Sequence, residues 1–214
     1  MTSIGNLRHK WYGETAWVVG SGATLGHVSR GFFNGKRTIA VNHVSRLHGF
    51  TPDVLFSHYH RDVQESLEPQ SLGVTLRLDT NTLQPWLDAP SNVVFVDVPY
   101  ESPPGPAWDP YLFPPEPNSL VYGSSSIHGA IHLAAHMGAT FIVLVGVDCG
   151  WLDGQHRFPG YPDPASPPPD VMPIWERHLR LLKQWLRERY DVDVYSLNPF
   201  LNLNLEGHEF RGAG

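Results

Sequence analysis

The sequence predicts an α/β fold: a single Rossmann-like domain over residues 1–214, with a mostly parallel sheet of about six to seven strands and helices on both faces. Three observations predict it. Short runs rich in Val and Ile, bounded by turn residues, recur along the chain. Helical patterns separate several of these runs, as a parallel sheet requires. The first run opens directly into a glycine-rich loop. At 214 residues the chain is long enough to close one sizeable core.

In chain order, the runs at 15–19, 38–41, 54–56, 74–78, 93–98, 141–147 and 192–196 read as buried strands. Residues 27–33 follow the glycine-rich loop and can begin a helix. Small and apolar residues fill 125–137, a second helix. In 175–190, Leu179, Leu182 and Leu186 recur at helical spacing among charges and mark a third. Two stretches crowded with proline and glycine, 99–118 and 157–173, are too long for minimal connections. They read as ordered flaps able to close over a substrate, or as plain surface loops.

Charge and composition narrow the functional classes. With a net charge of -6 and only 15 Lys plus Arg, the chain has no basic stripe to track a long nucleic acid. The lone cysteine, Cys149, excludes an intramolecular disulfide framework, and the first residues carry no apolar signal segment, so a cytoplasmic enzyme is expected. No apolar run approaches the roughly 20 residues of a membrane span.

Ligands of parallel sheets collect at the carboxyl ends of the strands, so the residues just beyond each run carry the search for chemistry. After residues 15–19 comes Gly20-Ser21-Gly22-Ala23-Thr24-Leu25-Gly26. Glycines let backbone approach an anion, a following helix start would aim N–H groups at it, and Ser21 and Thr24 add hydroxyls. The alternative is a tight turn alone. The spacing is not the dinucleotide fingerprint, the second strand ends in Asn42 and not an acid, and no Gly-Lys-Ser or Gly-Lys-Thr follows. An NAD enzyme and a phosphate-loop ATPase are thereby disfavoured. Ser124, Ser125 and Ser126 stand at a helix start, where hydroxyls cap the helix or bind an anion, and they lack the spacing of a hydrolase nucleophile elbow. His128, His132 and His136 lie four apart on one helix face, a metal stripe or, without a zincin glutamate, a polar face.

The segment after 141–147 holds the strongest catalytic candidates. His156 can take a proton from a hydroxyl near neutral pH, and Asp148 or Asp153 can orient it or hold hydrated Mg²⁺, unless they form only a capped turn. Arg157 and Arg61 can neutralise a leaving phosphate or simply sit at the surface. Cys149, beside an aspartate, reads as a small buried residue and not a nucleophile.

The order of these motifs resembles the bacterial sialyltransferases of glycosyltransferase family 42 and the related 6-hydroxymethylpterin diphosphokinase-like proteins. Gly20-Ser21-Gly22-Ala23-Thr24-Leu25 is similar to their opening Gly-Asn-Gly-Pro-Ser-Leu loop. Residues 38–42 resemble the second strand ending in a nucleotide-contacting Asn, and 52–56 the third strand. Ser125-Ser126-Ile127 through Gly146-Val147-Asp148 resembles their Thr-Ser-Gly helix and Gly-Ile-Asp strand, and residues 194–199 the closing strand. The departures are His58 for a third-strand Asn, Ile127 for a Gly, and Pro173 and Ile174 where the family's general-base His stands.

The resemblance implies a transferase acting on a nucleotide-bearing donor. Gly20, Ser21, Gly22, Thr24, Asn42, His58, Ser125 and Ser126 are then expected around a nucleotide sugar, with His156, or His178 in its place, as base. Asp148 and Asp153 complete the catalytic set. The acceptor hydroxyl is that of a glycan, a small molecule or a hydroxylated nucleobase, and Mg²⁺ is possible without being required. The alternatives are a Mg-ATP-dependent diphosphokinase with Asp148 and Asp153 near the metal, and a nucleotide-binding protein without catalysis.

Overall fold

In the computed structural model, the described residues are 4–76, 86, 88–96, 120–121, 125–162 and 171–197. Seven strands form one sheet in the order β5-β4-β3-β2-β1-β6-β7: β1 (Thr15–Val19), β2 (Arg37–Val41), β3 (Val54–Ser57), β4 (Leu72–Leu76), β5 (Val93–Val96), β6 (Phe141–Val145) and β7 (Asp193–Ser196). Every neighbouring pair is parallel, with Val19 opposite both Ala40 and Val145. The chain builds outward from β1 to β5, then returns to the other flank of β1 for β6. That reversal is the switch point of a doubly wound sheet, where the loops leaving β1 and β6 part to opposite faces and open a crevice.

The alternation of side chains sorts the core into two layers. Ala16, Val18, Ile39, Val54, Phe56, Val74, Ile142 and Leu144 face α3 (Ser126–His136), which packs beneath α4 (Val171–Tyr190). On the other face Val19 and Val145 meet Phe33 and Val44, and Ala40 and Leu55 meet Val63. Two short helices, α1 (Val44–His48) and α2 (His60–Ser66), lie in those clusters. The α3 helix is buried along its whole length. It fits because Gly129 has no side chain: a Cβ there would stand 2.5 Å from the Phe56 ring. The α4 helix is amphipathic, burying Met172, His178, Leu179, Leu182 and Leu186, and it carries Pro173 in its first turn, where no ladder bond is lost.

Three expectations change. Residues 27–33 form no α-helix. Two 3-10 turns, Ala23–His27 and Arg30–Phe33, connect β1 to β2 instead, because the segment is too short and glycine-broken for longer helix. The strand expected at 141–147 stops at Val145, since Gly146 takes a left-handed φ of 63°. The stretch 157–173 includes the first turn of α4. Residues 99–118, the ends 77–78 and 97–98 of two expected strands, Ser124 and 163–170 fall outside the described residues.

The histidine stripe is interior and not a polar surface face. His128, His132 and His136 are buried, and His132 accepts the Val121 N–H through Nδ1 at 3.0 Å while its ring meets Trp185 edge to face. His136 Nε2 lies 3.0 Å from the Ile4 carbonyl, tying the N-terminal segment to α3. Burial lowers His58 to about 4, and His128 and His132 to about 3, the latter two also disfavoured by His178 and His136 respectively. These rings are neutral in the fold, whereas the unfolded chain protonates them below about pH 6.5. Stability present at neutral pH is therefore lost as pH falls from about 6.5 toward 4, by on the order of 2 kcal/mol per ring at about pH 5. Urea midpoints measured between about pH 7.5 and 5 should fall steeply, and His132→Gln, which keeps an acceptor for Val121, should make that fall shallower.

Candidate functional site

The crevice at the switch point is lined by residues from three loops and two helix starts, among them Gly20, Ser21, Gly22, Asn42, Ser125, Asp148, His156, Arg157 and Trp175, around some 590 Å³ of space open to solvent. Its floor is the meeting of two chain exits. The Gly20 N–H donates to the Val145 carbonyl at 2.8 Å and the Gly22 N–H to the Gly146 carbonyl at 2.7 Å. A Cβ on Gly20 would stand 2.6 Å from the Gly146 oxygen, and one on Gly146 2.6 Å from the Gly20 oxygen. Neither position admits another residue without pushing β1 and β6 apart.

Asp148 locks this meeting. Its Oδ2 accepts the Thr24 N–H at 2.8 Å, and its Oδ1 accepts the Thr24 hydroxyl in a very short bond. Burial pushes the Asp148 carboxyl above the ordinary range, and the two Thr24 donors and nearby His27 oppose that rise. The donors of Thr24, expected on a phosphate, are directed at a carboxylate of the chain itself. With Gly20 and Gly22 also bonded internally, the loop acts as a shaped wall more than as a cradle of open N–H groups.

Positive charge enters the crevice from the other side. Arg157 donates through Nη1 to the Ser21 hydroxyl in a very short bond, and its guanidinium lies over the Tyr161 ring, 5.1 Å from the centroid. Ser125 caps α3, its Oγ accepting the Ile127 N–H at 3.4 Å, so the helix start points into the crevice beside a hydroxyl. Asn42 holds a left-handed φ of 57°, which asparagine tolerates, and its buried Oδ1 has no hydrogen-bond partner among the described residues. A buried acceptor of this kind is costly unless a ligand supplies a donor.

His156 is half-buried on the crevice wall with its ring 4.8 Å from that of Trp151. Of the other expected residues, Ser126 is buried within α3 and does not line the crevice. His58 is buried outside the lining, edge-on to Phe56, and His178 is buried against His128. Asp153 stands exposed on a turn outside the lining, and Arg61 pairs on the surface with Glu65 at 2.8 Å. Burial, with Glu176 and Asp148 nearby, pushes the Cys149 thiol up and disfavours its thiolate. Among the described residues no three His, Cys, Asp or Glu converge as metal ligands. Met172 and Trp175 join the lining from the first turns of α4; sequence spacing marked that helix as core and showed no sign of its crevice face.

No family model matches the chain, and no curated protein matches it in sequence. Solved structures do match in fold. The MAf glycosyltransferase from Magnetospirillum magneticum AMB-1 aligns over 91% of this chain at 16% identity and a TM-score of 0.54; the chain spans 35% of that protein's length. The sialyltransferase CstII from Campylobacter jejuni, in complex with the substrate analogue cytidine-5'-monophosphate, aligns over 90% of this chain and 83% of its own at 12% identity and a TM-score of 0.56. A second structure of that enzyme, with a trisaccharide acceptor and CMP, gives 12% identity, a TM-score of 0.51, and coverage of 89% and 83%. At these identities the likeness is one of fold.

The Asp148 lock has a measurable cost of removal. Asp148→Ala leaves the Thr24 N–H and hydroxyl without their acceptor and should destabilise the fold by about 2–3 kcal/mol. Gly22→Ala should cost a similar amount, because its Cβ would stand 2.5 Å from Asp148 Oδ2. The double variant should lose less than the sum of the singles in urea unfolding, because the clash with Asp148 goes with its side chain while the 2.7 Å approach of the same Cβ to the Gly146 oxygen remains; fully additive losses would place Gly22 and Asp148 in separate interactions.

Proposed function

We propose that the protein is a glycosyltransferase that seats a nucleotide-sugar donor in the switch-point crevice and passes the sugar to a hydroxyl acceptor. The observation that carries this reading is that His156 and Arg157 line the same crevice as Asn42, whose buried Oδ1 has no hydrogen-bond partner among the described residues. The shared fold with two glycosyltransferases, one of them solved with CMP, supports it.

In the proposed complex, Asn42 Oδ1 accepts a hydrogen bond from the base or ribose. Arg157, the Ser21 hydroxyl and the α3 start at Ser125 hold the phosphate. His156 takes the acceptor's hydroxyl proton as that oxygen bonds to the anomeric carbon. The bond from this carbon to the phosphate oxygen breaks, and its electron pair leaves on the nucleotide, where Arg157 offsets the charge. Asp148 acts through Thr24 by holding the wall in shape, so it is a positioning residue and not a proton carrier. Diphosphate transfer from Mg-ATP would draw on Asp148 and Asp153 together, and only Asp148 lines the crevice.

A thermal-shift panel of nucleoside mono- and diphosphates, nucleotide sugars and ATP, with and without Mg²⁺, tests the reading. Stabilisation by a nucleotide and its sugar conjugate is expected; a shift with Mg-ATP alone would favour diphosphate transfer, and no shift would sink the site. Arg157→Ala should weaken the stabilising nucleotide about tenfold or more. His156→Ala should retain nucleotide binding while transfer, once a donor is found, drops by about 10²–10⁴.

A further inference from the structure

The segment that carries His156 is a small hairpin with an unspent aromatic face. Leu152 and Gln155 exchange both backbone bonds, at 2.8 and 2.9 Å, across Asp153 and Gly154. Asp153 and Gly154 have φ of 50° and 76°, the signs of a two-residue type I′ turn, which Asp-Gly favours. The residues just outside the paired positions are therefore brought side by side, and these are Trp151 and His156, with ring centroids 4.8 Å apart. Trp151 remains 44% exposed, and Ile174, in the first turns of α4 next to the crevice-lining Trp175, is 41% exposed. An indole held by a rigid turn at the mouth of a crevice is a ready surface whose ordering cost is already met in the fold.

The surrounding groups restrict what can stack there. Asp153 and Gln155 are exposed on the same hairpin, and Arg157 is turned inward to Ser21 and Tyr161. An anionic chain would meet the Asp153 carboxylate on a protein of net charge -6. A neutral ring with C–H groups on one face and hydroxyls at its edge suits both features. Its C–H face lies on the negative face of the indole, and its hydroxyls meet the polar edge of the turn at Asp153.

We propose that Trp151 is the platform on which a neutral pyranose acceptor stacks, with Asp153 at the turn within reach of its hydroxyls and one hydroxyl presented to His156. The delivery to His156 rests on the glycosyl-transfer reading; the stacking does not.

Saturation-transfer NMR and tryptophan fluorescence titrations of the full chain with methyl β-glucopyranoside, methyl β-galactopyranoside and methyl N-acetyl-β-glucosaminide test it, with open-chain sorbitol as control. At least one pyranoside should bind in the millimolar range and sorbitol should not. Trp151→Ala should weaken that binding at least about tenfold, while Trp151→Phe, which keeps a ring face, should stay within about threefold. The nucleotide-induced thermal shift of Trp151→Ala should equal that of the parent. Absence of pyranoside binding, equal binding by Trp151→Ala, or equal binding of sorbitol would overturn the platform. Pyranoside binding through Trp151 without any nucleotide shift would leave the platform standing and remove glycosyl transfer; a nucleotide shift without pyranoside binding would do the reverse.

Discussion

The close passage of the β1 and β6 exits is the constraint on which the rest of the molecule depends. Gly20 and Gly146 face each other so tightly that a Cβ on either would strike the other's carbonyl oxygen. Asp148 then reaches across to Thr24, joining residues 124 positions apart. With those contacts in place the loops can leave only toward opposite faces of the sheet. The crevice is the space they vacate, and its position follows from backbone packing before any ligand is considered.

The same economy governs the polar interior. Buried and half-buried carboxylates and imidazoles hold elements whose apolar contacts are few. Asp62 accepts the Ser57 hydroxyl at 2.9 Å and faces His43 Nε2 at 3.3 Å, while His43 Nδ1 meets Ser66, so the short α2 is tied to the ends of β2 and β3. On the opposite face the neutral histidines of α3 do the equivalent for the N-terminal segment and for α4. A histidine serves there because one ring nitrogen can bond backbone while the remaining ring packs as an aromatic body.

What sequence reveals and what it hides divides along the range of the interaction. Strands were legible because Val and Ile runs report burial locally, and the Asp153-Gly154 pair carries its turn type in two residues. Spacing placed His128, His132 and His136 on one face of α3, but only the packing of α4 over that face makes it interior. The Gly20–Thr24 loop was legible as a special loop, though not its partner: nothing near Thr24 signals that Asp148 takes its donors. Arg157 was visible as a charge, and its bond to Ser21 arises only from the β1–β6 crossing. Ser126, His58 and His178 were drawn toward the site by spacing or resemblance, and in the fold they are buried outside the crevice lining.

The proposed location of a base follows from the same geometry. On the resemblance drawn from the sequence, a base would be expected at Pro173 and Ile174, which stand in the first turn of α4. Proline's ring and isoleucine's side chain offer no proton acceptor, and the neighbouring lining residues Met172 and Trp175 make that wall apolar. The hairpin after β6 brings His156 to the same crevice. A crevice lined by several segments admits a proton acceptor from more than one of them. Under the proposed transfer, the fold would therefore constrain the seat of the donor more strictly than the segment that supplies the base, and the hairpin proposed to supply it would also set the surface an acceptor must fit.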